Sequence, residues 1–171
     1  IGLAAATHEC DKVYCLFILE PKQISKKLNP YFSANALAFM VESLIELRSI
    51  IPLVVLHGDT IQTIKRMIQQ HKITDLYINL DYTAYSQLRD YNIQQLCLAQ
   101  QIKCHLHHDI CLNPPGTFKY YKVFTPYHNV AKQTRVKPEI VADQKKIAAL
   151  KETQVNLSKL LASIKNTSPE R

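Results

Sequence analysis

Short strand-like segments alternate along this chain with longer segments that carry apolar residues every three or four positions. The strand-like segments are residues 13–19, 53–56, 75–80 and 103–107. The first is a continuous apolar run, which predicts a strand buried on both faces. Alternating strands and helices favour an α/β fold, a Rossmann-like parallel sheet with right-handed helical crossovers.

The segments between the strands have the spacing of helices that pack on one face. Ser33 is placed to cap the first, Asp59 or Thr60 the second, and a third begins near Thr83. Their predicted buried positions are Leu37, Met40, Val41, Leu44, Ile45 and Leu47, then Ile61, Ile64, Met67 and Ile68, then Leu88, Ile93, Leu96 and Cys97.

The C-terminal part has a different pattern. Residues 112–138 contain four prolines and predict an extended linker. Within residues 139–166, mostly apolar residues recur in steps of three and four, which predicts a C-terminal amphipathic helix. It would dock on its own domain or form one seam of a short coiled coil. The predicted division is therefore an α/β domain at 1–111, a linker at 112–138 and the helix at 139–171.

Composition excludes several classes of protein. The formal net charge of +7 permits attraction to nucleic acid, but the lysines are spread out and do not predict a binding site. The five cysteines are odd in number and form no disulfide framework, which favours reduced thiols. No signal peptide or transmembrane segment is recognisable, so we expect a cytoplasmic or nuclear protein with no membrane partner.

Local motifs for chemistry are weak. Residues 104–111 contain cysteines, histidines and an aspartate, but strand alternation divides these side chains between two faces, so no metal site is predicted. The chain has three glycines, none in a Gly-rich loop, which argues against a dinucleotide-binding turn. No nucleophile and base share a recognisable context, and no catalytic residue is predicted.

Polar residues follow the predicted parallel strands, at the edge where ligands bind in open α/β sheets. They are Glu20, His57, Asn79 and Asp81, with Thr83 at the start of the next helix. The alternative interpretation is that these are ordinary polar residues at strand ends.

Six motifs in order resemble the N-terminal α/β domain of DNA photolyases and cryptochromes. They are the alanine-rich opening Ile1-Gly2-Leu3-Ala4-Ala5-Ala6, the strand end Phe17-Ile18-Leu19-Glu20-Pro21, the helix Phe39-Met40-Val41-Glu42-Ser43-Leu44, the turn Gly58-Asp59, the segment Asn79-Leu80-Asp81-Tyr82-Thr83-Ala84-Tyr85 with Arg89-Asp90, and Pro114-Pro115-Gly116 followed by Tyr121-Lys122-Val123-Phe124-Thr125-Pro126-Tyr127.

The resemblance implies an antenna domain whose crevice holds a pigment, either a folate, a deazaflavin or a flavin. Its implied contacts are Glu20, Asn79, Asp81 and Thr83. Thr83 stands where folate-using members have a carboxylate, and Leu28 stands where they have a histidine before Asn29. Both differences argue against folate. The family's first strand, central in the order 3-2-1-4-5, is expected to precede the alanine-rich helix and lies outside this sequence.

The resemblance also implies that FAD and the repair of pyrimidine dimers belong to a later helical domain. This chain has no tryptophan and no residues left for that domain, so we expect a truncated or split photolyase that is inactive alone. Its partner would be a separate FAD-binding chain, and damaged DNA would be met through that chain. The rival interpretation is a non-enzymatic interaction module or a degenerate, cryptochrome-like remnant.

Overall fold

The structure of the chain, a computed structural model, describes residues 1–136, 138 and 140–167. Strands and helices alternate as expected, which confirms the α/β fold class. The elements are α1 (Gly2–Glu9), β1 (Cys15–Leu19), α2 (Pro21–Ile24), α3 (Ala34–Ile50), β2 (Leu53–His57), α4 (Thr60–His71), β3 (Asp75–Leu80), α5 (Ala84–Ala99), β4 (Lys103–His108), α6 (Phe124–Ala131), a 3-10 turn (Gln144–Lys146) and α7 (Leu157–Thr167).

The four strands form two parallel pairs. β1 pairs with β2, from Cys15 opposite Leu53 to Leu19 opposite His57. β3 pairs with β4, from Asp75 opposite Lys103 to Leu80 opposite His108. These pairs belong to two compact units, the first formed by Ile1–Glu9 and Ile73–Ala142 and the second by Cys10–Lys72 and Asp143–Arg171. None of the helices in the described ranges is long and apolar enough to cross a membrane.

The core of the second unit is built on β2, not on β1. The side chains of Leu53–Leu56 are buried, whereas those of Cys15–Ile18 are half-buried and only Leu19 is almost completely inaccessible. The expectation that both faces of β1 are buried is therefore wrong. The reason is that β2 has a neighbour on each edge, β1 on one side and the backbone N–H of Val155, 2.9 Å from the Val55 carbonyl, on the other.

In the first unit, α1 and α5 both contact the β3–β4 pair. Ile93 and Cys97 of α5 are buried as predicted, together with Ser86 and Asp90. Leu88 was expected in the same apolar stripe but is 62% exposed, so that assignment is wrong. Leu88 precedes Ile93 by five positions, which places it about 140° around the helix from that buried residue.

The segment 112–138 is not wholly extended. Helix α6 lies inside it and includes Pro126 in its first turn, where proline removes no intrahelical hydrogen bond. The prolines therefore mark the ends of short elements here instead of a continuous linker. Lys137 lies outside the described residues.

The C-terminal helix is shorter than predicted. It begins at Leu157, where the Asn156 side chain accepts a hydrogen bond from Lys159 N, and Glu139 and residues 168–171 lie outside the described residues. Ile147 and Leu150 are buried from non-helical backbone instead. Val13 hydrogen-bonds Lys146 and Ala148, which holds that backbone extended. The backbone hydrogen bonds to Val13 thus outweigh the helical periodicity of the local sequence. The predicted domain boundaries stay a prediction.

Candidate functional site

Asn79 lies near the carboxyl end of β3 and joins it to the first turn of α1. Its Oδ1 accepts a hydrogen bond from Gly2 N at 2.9 Å, and its Nδ2 donates to the Asp109 carboxylate at 2.8 Å. A β-carbon on Gly2 would lie 2.7 Å from Asn79 Oδ1, closer than side chains approach one another. Asn79 therefore holds the start of α1 against the sheet, and a side chain at position 2 would force the Asn79 amide to shift.

Asp81 and Thr83 cap the start of α5. Asp81 accepts from Thr83 N at 3.1 Å and from the Ser86 hydroxyl at 3.0 Å, and Thr83 Oγ1 accepts from Ser86 N at 3.2 Å. The Thr83 N–H, followed by the Ser86 hydroxyl, lowers the pKa of Asp81. The carboxylate is thus held ionised at the positive end of the helix dipole.

Glu20 belongs to the second unit and is buried. Its carboxylate accepts hydrogen bonds from the backbone N–H of Thr60, at 2.6 Å, and from the Thr60 hydroxyl. Asp59, the N-cap residue of α4, accepts a hydrogen bond from Gln62 N at 3.0 Å. Glu20 is therefore a helix-capping carboxylate within its own unit, whereas Asn79, Asp81 and Thr83 lie together in the other unit.

Three further side chains near the carboxyl ends of β3 and β4 were not identified from the sequence. The Tyr82 hydroxyl lies 2.7 Å from His108 Nδ1, and the two rings are nearly parallel with centroids 6.0 Å apart. His107 stacks at 5.9 Å on Tyr77, and its buried Nε2 has no hydrogen-bond partner among the described residues. The Tyr82 and His108 rings offer flat apolar surface, whereas strand alternation places His107 on the other face of β4. A strand that ends in successive histidines was the available signal.

Residues 104–111 carry the cysteine, histidine and aspartate side chains that the sequence offers as possible metal ligands. Within the described ranges, no group of three or more His, Cys, Asp or Glu side chains is arranged to hold a metal ion. Burial raises the pKa of Cys97 to about 12 and also raises that of Cys104. Both thiols stay protonated near neutral pH, because a thiolate forms only as the pH approaches the pKa.

A cavity of about 610 Å³ lies in the second unit, beside the C-terminal segment. Its lining is polar and includes Arg48, which donates to the Gln154 side chain at 2.6 Å, and Glu152, which is bound to Arg66 at 2.8 Å. Because these charged and amide groups already satisfy one another, the cavity offers few free polar atoms to a ligand.

The family model and the solved structure at 29% identity indicate the same family. The family model of DNA photolyase matches residues 1–148. No curated protein matches the chain. An archaeal photolyase from Sulfolobus tokodaii, solved with two FAD molecules that implicate a novel light-harvesting cofactor, is 29% identical over 96% of this chain and 38% of its own, with a TM-score of 0.79.

A bacterial class III photolyase from Agrobacterium tumefaciens shares the fold at 18% identity, over 93% of this chain and 34% of its own, with a TM-score of 0.65. The chain thus spans little more than a third of the length of the solved photolyases that it resembles.

Proposed function

Because this chain belongs to the DNA photolyase family, we propose that it is the antenna part of a truncated or split photolyase. The observation that carries the proposal is the family match over residues 1–148 in a chain that spans 38% of an archaeal photolyase. Within such an assembly, the chain's role is to hold a pigment and to pack against the part that carries FAD.

The pigment site that we propose lies at the carboxyl ends of β3 and β4. The Tyr82 and His108 rings would hold a flat ring system. Asn79, Asp81 and Thr83 position these groups through their bonds to α1 and α5. When bound, the pigment would absorb light and pass the excitation to FAD.

Among the three pigments of the family, a flavin is favoured. The archaeal relative, at 29% identity, is the one solved with two FAD molecules. Folate is disfavoured because Thr83, where folate-using members have a carboxylate, is committed to capping α5. The stacked Tyr82–His108 pair suits the fused rings of either a flavin or a deazaflavin.

A titration tests this proposal. Flavin fluorescence is followed as the purified chain is added, and the same is done with a deazaflavin and a folate. We expect saturable quenching by a flavin or deazaflavin, and affinity at least about tenfold weaker in Tyr82→Ala, which removes one ring of the pair. Tyr31→Ala is the matched control, since Tyr31 is 91% exposed in the other unit. Equal affinity in both variants would overturn the assignment of the site.

A non-enzymatic interaction module is the second candidate. It is supported by the observation that all four residues expected to contact a pigment are engaged in bonds that stabilise helices. Saturable binding of none of the three pigments by folded protein would favour this candidate over the antenna.

A further inference from the structure

Two thiols of the first unit touch at the C-terminal end of α5. Cys97 lies in the last turn of this helix and is 1% exposed, whereas Cys104 lies on β4 and is half-buried. The side chains of the two residues are hydrogen-bonded to each other. Cysteines whose thiols are in contact have converging side chains, which is the arrangement that a disulfide bond requires.

The turn between the two cysteines holds them in this arrangement. Gln101, in the left-handed conformation at a φ of 57°, follows the helix end, and its N–H donates to the carbonyl three residues earlier at 3.1 Å. The Ile102 N–H donates to the Cys97 carbonyl at 3.0 Å. Together these bonds form the Schellman motif of a helix C-terminus. Strand β4 starts at the next residue, Lys103, so the backbone is fixed from Cys97 to the residue before Cys104.

The two thiols are not equivalent. Burial raises the pKa of both and keeps them protonated near neutral pH. For Cys104, the hydrogen bond to Cys97 lowers the pKa in opposition to burial, because a donor stabilises a thiolate, and the Asp90 carboxylate raises it. Cys104 is also the more accessible sulfur. A reagent in solution therefore meets Cys104 first and reacts slowly at neutral pH.

We propose that Cys97 and Cys104 are a redox pair that a small-molecule disulfide converts into an internal disulfide bond. The Cys104 thiolate attacks one sulfur of the reagent, whose S–S bond breaks, and half of the reagent leaves as a thiolate. The Cys97 thiol then loses its proton, and its sulfur attacks the Cys104 sulfur of the mixed disulfide and expels the second half. The two protein thiols lose two electrons and two protons in all, and the reagent is reduced to two thiols.

Mass spectrometry of the folded chain after incubation with oxidised glutathione tests the proposal. Trypsin cleaves after lysine and arginine, so Cys97 is recovered in residues 90–103 and Cys104 in residues 104–119. We expect these two peptides to be joined by a disulfide, and the oxidised chain to lose two thiols that are alkylated after unfolding in the reduced chain. Absence of the joined peptides from the oxidised wild type would overturn the proposal.

Cys111 provides the matched control. It is exposed, belongs to the same unit and lies in the same tryptic peptide as Cys104. We expect Cys111→Ser to leave the joined peptides unchanged and Cys104→Ser to abolish them, with circular dichroism to check that both variants stay folded. Joined peptides in Cys104→Ser, or their loss in Cys111→Ser, would show that Cys111 is the partner of Cys97 and overturn the proposal.

A trapping variant tests the order of the two steps. In a Cys111→Ser background, Cys97→Ala removes the second thiol, so the reaction should stop at the mixed disulfide and leave one glutathione on the peptide that contains Cys104. With Cys97 present, the joined peptides should replace this adduct. A folded Cys97→Ala variant with no glutathione on Cys104 would contradict the assignment of Cys104 as the sulfur that reacts first.

Discussion

Glu20 is a buried carboxylate that is stabilised by a helix start instead of by a cation. Its bonds to the Thr60 N–H and hydroxyl place negative charge at the positive end of the α4 dipole. Asp81 does the same at α5. A sequence shows that such residues follow strands, but it does not show whether a neighbouring helix start will use their oxygens. Whether the oxygens are used depends on how close the tertiary fold brings the helix start to them.

Glu152, in the C-terminal segment, is another carboxylate whose neighbours stabilise its charge. Its nearly buried carboxylate is bound by Arg66 at 2.8 Å and by His71 at 2.7 Å, and these bonds, Arg66 foremost, lower its pKa. A carboxylate with a lowered folded-state pKa stabilises the fold above its unfolded pKa of about 4.3. This contribution is lost as the pH falls through the folded-state value.

We therefore expect Glu152→Gln to lower the free energy of unfolding by about 1 kcal/mol at neutral pH, because the half-exposed Arg66 limits the strength of the pair. The difference from wild type should shrink as the pH falls below about 4. Urea unfolding at a series of pH values measures it. Glu46→Gln, at an exposed position on α3, is the control and should leave stability unchanged. A difference between Glu152→Gln and wild type that does not depend on pH would contradict the assigned role.

At the scale of elements, the predicted strands and the first helix caps agree with the structure. Ser33 and Asp59 accept from backbone N–H groups of α3 and α4 as their sequence positions indicate. These features depend on residues that are close in sequence. The predicted C-terminal helix is confirmed at Leu157–Thr167, but its start was placed too early, because Ile147 and Leu150 have helical spacing and are buried from non-helical backbone instead. That outcome depends on Val13 and Val55, distant in sequence.

Helix α7 packs against α3 within the second unit, and an ion pair between Lys165 and Glu42, 2.8 Å long, lies at the contact. Leu157 and Ile164 are the buried residues of α7. We expect Leu157→Ala and Ile164→Ala each to lower the free energy of unfolding by roughly 2–4 kcal/mol, since each leaves a cavity. Thermal unfolding measures this. Lys159→Ala, an exposed change on the same helix, is the control, and an equal effect there would show that α7 is not docked.

Among the described residues, strand β1 pairs along one edge, with β2. The hydrogen bond from Gly58 N to Leu19 O shows that Leu19, and by alternation Phe17 and Cys15, direct their backbone groups to β2. Leu16 and Ile18 direct theirs to the opposite edge, where a further parallel strand would pair.

Hydrogen exchange checks this alternation. We expect the Phe17 amide to exchange much more slowly than those of Leu16 and Ile18, because only the former is bonded to β2. Phe17 and Leu16 are neighbours on one strand, so each serves as the control for the other. Equal protection of the three amides in the purified chain would mean that both edges of β1 are already paired.

For the whole molecule, we expect pigment binding to be separate from repair. The chain has no tryptophan and spans 38% of an archaeal photolyase, and the resemblance to photolyases implies that FAD belongs to a later helical domain. We expect the purified chain, with added FAD and a reductant under blue light, to leave pyrimidine dimers in DNA unrepaired. An intact photolyase is the positive control. Restored pyrimidines with this chain alone would contradict the division of roles.

The absorption spectrum of the chain with added pigment tests whether it is an antenna domain. The protein is mixed with a flavin, a deazaflavin or a folate, freed of unbound pigment by gel filtration, and scanned in the near-ultraviolet and visible. We expect a flavin or deazaflavin band to elute with the folded protein and to be shifted from that of the free pigment, because the rings of Tyr82 and His108 exclude water from it. Folded protein that elutes without absorption from any of the three pigments would contradict an antenna role.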